Sequence, residues 1–297
     1  MPPRALVLLV TLAALWGGSF VFMRVAVPAM GPVPLTFVRV TLAALVLFSL
    51  AAARRSVPDM QSRWRGFGVV GLVNSALPFV MICFAEQTIS ASTAGILNAT
   101  SPFFGAIAAA IWLGDSLTAR KIGGMALGLA GVALLVGLQP EPLTLTTVLA
   151  VAACLAAALC YGLGGVYAKK QMQAVPSFAL ACGSQLSAAI VLTPVLPFVS
   201  VPGPVTSWIV FNVVALAVAS TAIAYLIYFR LIADIGPSRA LTVTFLIPLF
   251  GVLWGYLFLG EAITANMLAG GVLIVAGTAI ALAHSATRAA MPSCTSG

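Results

Sequence analysis

From Ala5 to Ala283 the chain is a succession of apolar runs, each about 20 residues long, the length needed to cross a hydrocarbon core of about 30 Å. In lipid every backbone N–H and C=O must find a partner within the protein, so runs of this kind fold as helices. Only short breaks of proline, glycine or charge separate them, leaving no room for a soluble domain. Composition agrees: charged residues make up 7% of the chain, against about 25% in a soluble domain.

Ten spans are expected, over residues 5–27, 33–53, 66–85, 93–113, 122–138, 146–168, 178–199, 207–231, 239–259 and 265–283. The first has a basic start, as a signal peptide does, but its apolar run is too long and it has a counterpart later in the chain. Gln139 to Thr144, with two prolines, joins two halves, and from His284 onward the small polar residues predict a flexible tail.

The net charge of +8 is a matter of topology, not a sign of nucleic-acid binding. With the N-terminus inside, ten spans put 12 of the 14 basic residues on the cytoplasmic face, as the positive-inside rule requires. The exceptions are Arg24 and Arg39. Cys83, Cys154, Cys160 and Cys182 lie in apolar runs and Cys294 in the tail, with no CxxC and no paired histidine. They read as core residues, so neither metal nor cofactor is expected.

The stretch from Asn98 to Thr118 is written again, 146 positions later, from Thr244 to Thr264. Pro102 meets Pro248, Phe104 meets Phe250, Gly105 meets Gly251, and Leu-Gly-acid-x-apolar-Thr ends both copies, with Asp115 opposite Glu261. Leu12 to Arg24 likewise overlays Ala157 to Lys169, placing Trp16 on Tyr161 and Gly17 on Gly162. Each half is therefore five spans, and an odd number makes the second half enter from the opposite face. The expected fold is all-α: ten transmembrane helices as two inverted five-helix repeats, residues 1–140 and 141–288, followed by a tail at 289–297.

The segments LAALWGGSFVFMRVAV, PFFGAIAAAIWLGDSLTARKIGGMALGLAGVALL and PLFGVLWGYLFLGEAITANMLAGGVLIVAGTAIAL resemble the drug/metabolite transporter superfamily in its ten-helix form with two EamA-type repeats. Overall likeness is greatest to the YddG-like amino-acid exporters. The resemblance implies an inner-membrane exporter of small metabolites or amino acids with both termini cytoplasmic. Its expected partners are a small solute and the lipid bilayer, with the oligomeric state left open, a monomer included.

Several residues are candidates for the transport path. Pro102 and Pro248 lack the N–H that would bond the carbonyls of Asn98 and Thr244, so each predicts a kink, a hinge and a freed acceptor near mid-membrane. Packed kinks satisfied by neighbouring helices are the alternative. Trp16 and its partner Tyr161 sit halfway along their spans, away from the interfaces where membrane tryptophans gather. They suit an aromatic solute, with packing inside the bundle as the plainer reading. Ser220, Thr221, Tyr225 and Tyr228 share a helical face, and Asn74, Ser75 and Phe79 occupy the equivalent place in the first half. Such polar stripes line wet cavities or bond between helices. The candidate binding set is Trp16, Ser19, Phe20, Asn74, Phe79, Asn98, Tyr161, Thr221, Tyr225, Thr244 and Phe245, with Pro102 and Pro248 as hinges.

Arg39 lies inside the outer end of its span. It is a candidate to meet a substrate carboxylate, or to pair with Glu86 as a gate, with snorkelling to the interface as the alternative. Asp115 and Glu261 read as parts of a glycine-stopped turn with local hydrogen bonds. No acid falls at a span centre, which disfavours cationic drugs and carboxylate-based proton coupling. The expectation is an alternating-access exporter of neutral or zwitterionic solutes, aromatic ones included. A multidrug or nucleotide/purine-type exporter and a channel are the alternatives, and no motif supports an enzyme.

Overall fold

A computed structural model describes residues 2–137, 144–235, 240 and 242–282. The inter-half linker, the tail and the cations Arg239 and Arg288 fall wholly or largely outside the described residues.

Ten helical spans follow one another in the described chain: α1 Pro3–Met30, α2 Pro32–Ala53, α3 Trp64–Ala85, α4 Ala91–Leu113, α5 Ala119–Gly137, α6 Leu145–Gln171, α7 Ser177–Phe198, α8 Ser207–Ile235, α9 Val243–Leu259 and α10 Ala265–Leu282. Each sequence-predicted span has its helix, with ends displaced by no more than four residues. Apolar side chains such as Ile111, Leu145, Phe258 and Val272 stand exposed on the perimeter, as lipid-facing positions do.

The inverted relation between the halves is written in the glycines where α5 crosses α10. A Cβ on Gly124 would lie 2.5 Å from the Gly277 carbonyl oxygen, and one on Gly131 would lie 2.7 Å from that of Gly270. With the 146-residue offset, Gly124 corresponds to Gly270 and Gly131 to Gly277. Each contact is thus the image of the other, as a two-fold axis between these helices demands. Because no side chain larger than hydrogen fits, Gly277→Val is expected to cost about 2–3 kcal/mol by overpacking. A lowered unfolding midpoint of the purified protein checks it.

A second symmetric pair of crossings frames the interior. Gly17 of α1 lies against Phe250 and Gly251 of α9, and Gly162 of α6 lies against Phe104 and Gly105 of α4. These close approaches fix the neighbouring Trp16 and Tyr161.

Three irregularities have local causes. Helix α4 breaks between Asn98 and Ser101, just before Pro102, whereas α9 runs unbroken through Pro248. The last turn of α7, Thr193–Phe198, tightens to 3-10 form where Pro194 and Pro197 withdraw donors. Both α3 and α8 widen into a π turn, at Leu72–Ala76 and Val218–Ile223, which are equivalent places in the two halves. In α8 the Thr221 hydroxyl donates to the Leu216 carbonyl five residues back, at 2.9 Å.

Candidate functional site

The two π turns aim polar side chains at the centre of the bundle, where a cavity of about 620 Å³ lies between the halves. Its walls come chiefly from α1, α3, α4, α6, α8 and α9, three spans from each half, with Arg39 added from α2, Lys121 from α5 and Ala281 from α10.

Of the candidate residues, Trp16, Ser19, Phe20, Arg39, Asn74, Phe79, Asn98, Pro102, Tyr161, Thr221, Tyr225, Thr244 and Pro248 border the cavity. Phe245 and Glu86 do not. Phe245 is one position off the Thr244 and Pro248 face. Glu86 lies in the hairpin after α3 and is fully buried, with both carboxylate oxygens lacking a hydrogen-bond partner among the described residues.

Aromatic rings form the deeper walls. The Trp16 ring meets Tyr228 at 5.4 Å and Tyr225 at 6.3 Å between centroids. Tyr161 and Phe79, the repeat partners of Trp16 and Tyr225, meet at 6.5 Å. Edge and tilted contacts of this kind add to the area buried and hold the rings in place.

The carbonyl freed by Pro102 does not stand open: the Ser101 hydroxyl donates to the Asn98 oxygen at 2.6 Å. The proline therefore yields a bend with its acceptor satisfied locally, and what Asn98 offers the cavity is its amide side chain.

At one end the cavity reaches Asp115, Lys121 and Lys169, of which Asp115 and Lys169 are solvent-exposed. The other end is closed by the packing of α4 against α1 and α9. There Glu261 accepts from the Ala91 N–H at 2.7 Å, the Ser92 N–H at 2.9 Å and the Ser92 hydroxyl. A carboxylate on the first-turn donors of a helix is well placed for both hydrogen bonding and the helix dipole. Arg24 adds a bond to the Glu86 backbone carbonyl.

This corrects the reading of Glu261 as part of a local turn, since its bonds reach into the other half. The turn itself is as expected. Gly114 and Gly260 take φ of +71° and +65°, and the Thr118 and Thr264 hydroxyls cap α5 and α10 by accepting from Lys121 N and Met267 N.

Met23, Ile82 and Lys169 also border the cavity but lay outside the binding set expected from sequence. Met23 was legible, because Trp16, Ser19, Phe20 and Met23 follow the three-four-seven spacing of one helical face. Ile82 carries no such signal. Lys169 could be found only by following α6 to the end at which the cavity opens.

Comparison with known proteins agrees with this architecture. The model of the EamA-like transporter family matches residues 3–137 and 148–283, one match to each half. A probable terminal-alkyne amino-acid exporter of Streptantibioticus cattleyicolor is 25% identical, over 92% of this chain and 92% of the relative. An S-adenosylmethionine/S-adenosylhomocysteine transporter of Chlamydia trachomatis is 28% identical over 86% of this chain and 82% of its own length. A solved structure covers 98% of this chain and all of its own, at 20% identity and a TM-score of 0.67, a likeness of fold. Two family matches, one in each inverted five-helix half around a shared cavity, establish that this multi-pass membrane protein belongs to the EamA-like transporter family.

Proposed function

We propose that the protein is an alternating-access exporter of small metabolites in a bacterial-type inner membrane, with amino acids and their relatives as the leading solutes. The observation carrying this reading is an aromatic and polar cavity between the inverted halves, open at one end and sealed at the other. A channel would need a continuous path. By the positive-inside rule the open end, with Lys121 and Lys169, faces the cytoplasm, so the state seen here is inward-open with both termini inside. The other state would follow by opening the Glu261 contacts and closing α4 and α9 at the opposite end, with Pro102 and Pro248 as the hinge positions.

The solute class is supported by the cavity's volume, which suits a molecule of drug or amino-acid size, and by the names of the relatives, an amino-acid exporter and a transporter of S-adenosylmethionine. The larger solute is the second reading, favoured by the same volume. Among the described residues no carboxylate borders the cavity except Asp115 at its mouth, so transport runs down the solute gradient.

Purified protein in liposomes is expected to show saturable counterflow, in which unlabelled amino acid on one side accelerates entry of labelled amino acid from the other. Flux without trans-stimulation would mark a channel. Uptake that still demanded a proton gradient, with solute gradient and voltage clamped, would overturn the uncoupled mechanism.

A further inference from the structure

We infer that Arg39 is the receptor for an anionic group, and that the cavity takes small carboxylates with an apolar or aromatic body, the acid seated against this guanidinium. The inference deepens the exporter reading and rests on it for the view that the cavity is the transport path.

Arg39 is 4% exposed yet borders the cavity. Its Nε donates to the Thr221 hydroxyl at 3.1 Å, its Nη1 to the Met23 sulfur at 3.3 Å, and its carbon lies 3.6 Å from the centre of the Phe79 ring. None of these partners is an acid. Among the described residues the one ion pair within 4.0 Å joins Arg230 to Asp234, far along α8, so Glu86 stands beyond pairing distance of Arg39. Nη2 donates to no protein atom among the described residues. A guanidinium cannot shed its charge as a buried lysine or histidine can, and burying it without a counter-charge is costly. An incoming carboxylate or similar anion would supply two acceptors and the missing charge together.

The inverted repeat provides the internal control. With the 146-residue offset, Arg39 corresponds to Gln185 and Thr221 to Ser75. Gln185 Nε2 donates to the Ser75 hydroxyl at 3.1 Å, the image of the bond from Arg39 to Thr221. A neutral amide therefore suffices for this bracing bond. Gln185 is fully buried away from the cavity, whereas Arg39 reaches it. The charge is added at the one member of the pair that a solute can touch. Around it stand Phe79, Trp16 and Tyr225, whose rings fit an apolar or aromatic body.

The test uses detergent-purified protein and three probes of nearly one shape: 3-phenylpropanoate, its amide, and 2-phenylethylamine. At ten times its Kd the carboxylate is expected to raise the unfolding midpoint by roughly 3 °C, while amide and amine leave it unchanged. Arg39→Gln, which installs the residue its twin already uses, should fold and lose at least tenfold in affinity for the carboxylate; Arg39→Lys should keep part of it. Equal stabilisation by the amide, none by the carboxylate, or an undiminished shift in Arg39→Gln would overturn the assignment. Should Arg39→Gln fail to fold, the acid and amide on wild type together with Arg39→Lys decide. Counterflow separates the two ideas. A protein that binds the acid through Arg39 but gives no counterflow sinks the exporter reading alone. Saturable counterflow of an acid indifferent to Arg39→Gln sinks only the role of Arg39.

Discussion

Glu261→Ala is expected to unseal the closed end of the cavity and shift the population away from the inward-open state by roughly thirtyfold. The Glu261 carboxylate holds two backbone N–H groups and one hydroxyl at the start of α4, across the boundary between the halves. Charge-assisted bonds of this kind are worth about 2 kcal/mol net as a group, and 1.4 kcal/mol is a factor of ten in an equilibrium. In the outward-open state the carboxylate and these donors would face water, so the substitution removes what favours closure and takes little from the open form. Arg24 keeps its bond to the Glu86 carbonyl, so the seal weakens without vanishing. The readout is the rate at which a membrane-impermeant maleimide, added outside, labels Ile82→Cys in a chain freed of its other cysteines. Ile82 borders the cavity and is 2% exposed. Equal labelling rates with and without the Glu261→Ala substitution would show that Glu261 is no latch.

How much of this was legible beforehand follows from range. The ten spans could be drawn because burial in lipid is a property of each segment by itself, readable from about 20 residues at a time. The inverted symmetry was legible for a related reason: the Pro–Phe–Gly and Leu–Gly–acid copies repeat in order, and counting spans fixes their sense. What the sequence could not show are the contacts between halves. Asp115 and Glu261 look alike in their copies, yet Glu261 reaches Ser92 while Asp115 stands at the cavity mouth. On the proposed alternating-access mechanism the difference reflects the state in which the protein rests, because one end would be closed when the other is open. Pro102 and Pro248, equal in sequence, likewise differ in surroundings, sitting in a broken α4 and an unbroken α9. The π turns escaped because a one-residue insertion in helical winding depends on where hydroxyls such as that of Thr221 find acceptors, not on the apolar period. The pairing of Arg39 with Thr221 and of Gln185 with Ser75 spans more than a hundred residues each, beyond any local pattern.

Trp16→Ala is expected to reduce transport of an aromatic amino acid at least tenfold while the protein inserts and folds nearly as before. The ring lies on the cavity wall, half-buried, and its neighbours are other rings: Tyr228 at 5.4 Å and Tyr225 at 6.3 Å. Truncation removes a broad apolar face that a solute ring would meet, and an aromatic pair is worth about 0.5–1.5 kcal/mol beyond the area it buries. Loss of the buried area brings the total to about 2 kcal/mol. The helix crossing beside it is untouched, since α1 meets α9 through Gly17. Folding stability should therefore fall less than the roughly 3–5 kcal/mol typical of a fully packed Trp→Ala change. Two comparisons make the result decisive. Tyr161→Ala alters the symmetric wall, where the ring faces Phe79, and should weaken counterflow as well, because both rings border one cavity. Phe245→Ala, beside the site but not on its wall, should leave counterflow within about twofold of wild type. Wild-type counterflow by well-folded Trp16→Ala would place the solute elsewhere in the cavity and leave Trp16 as packing.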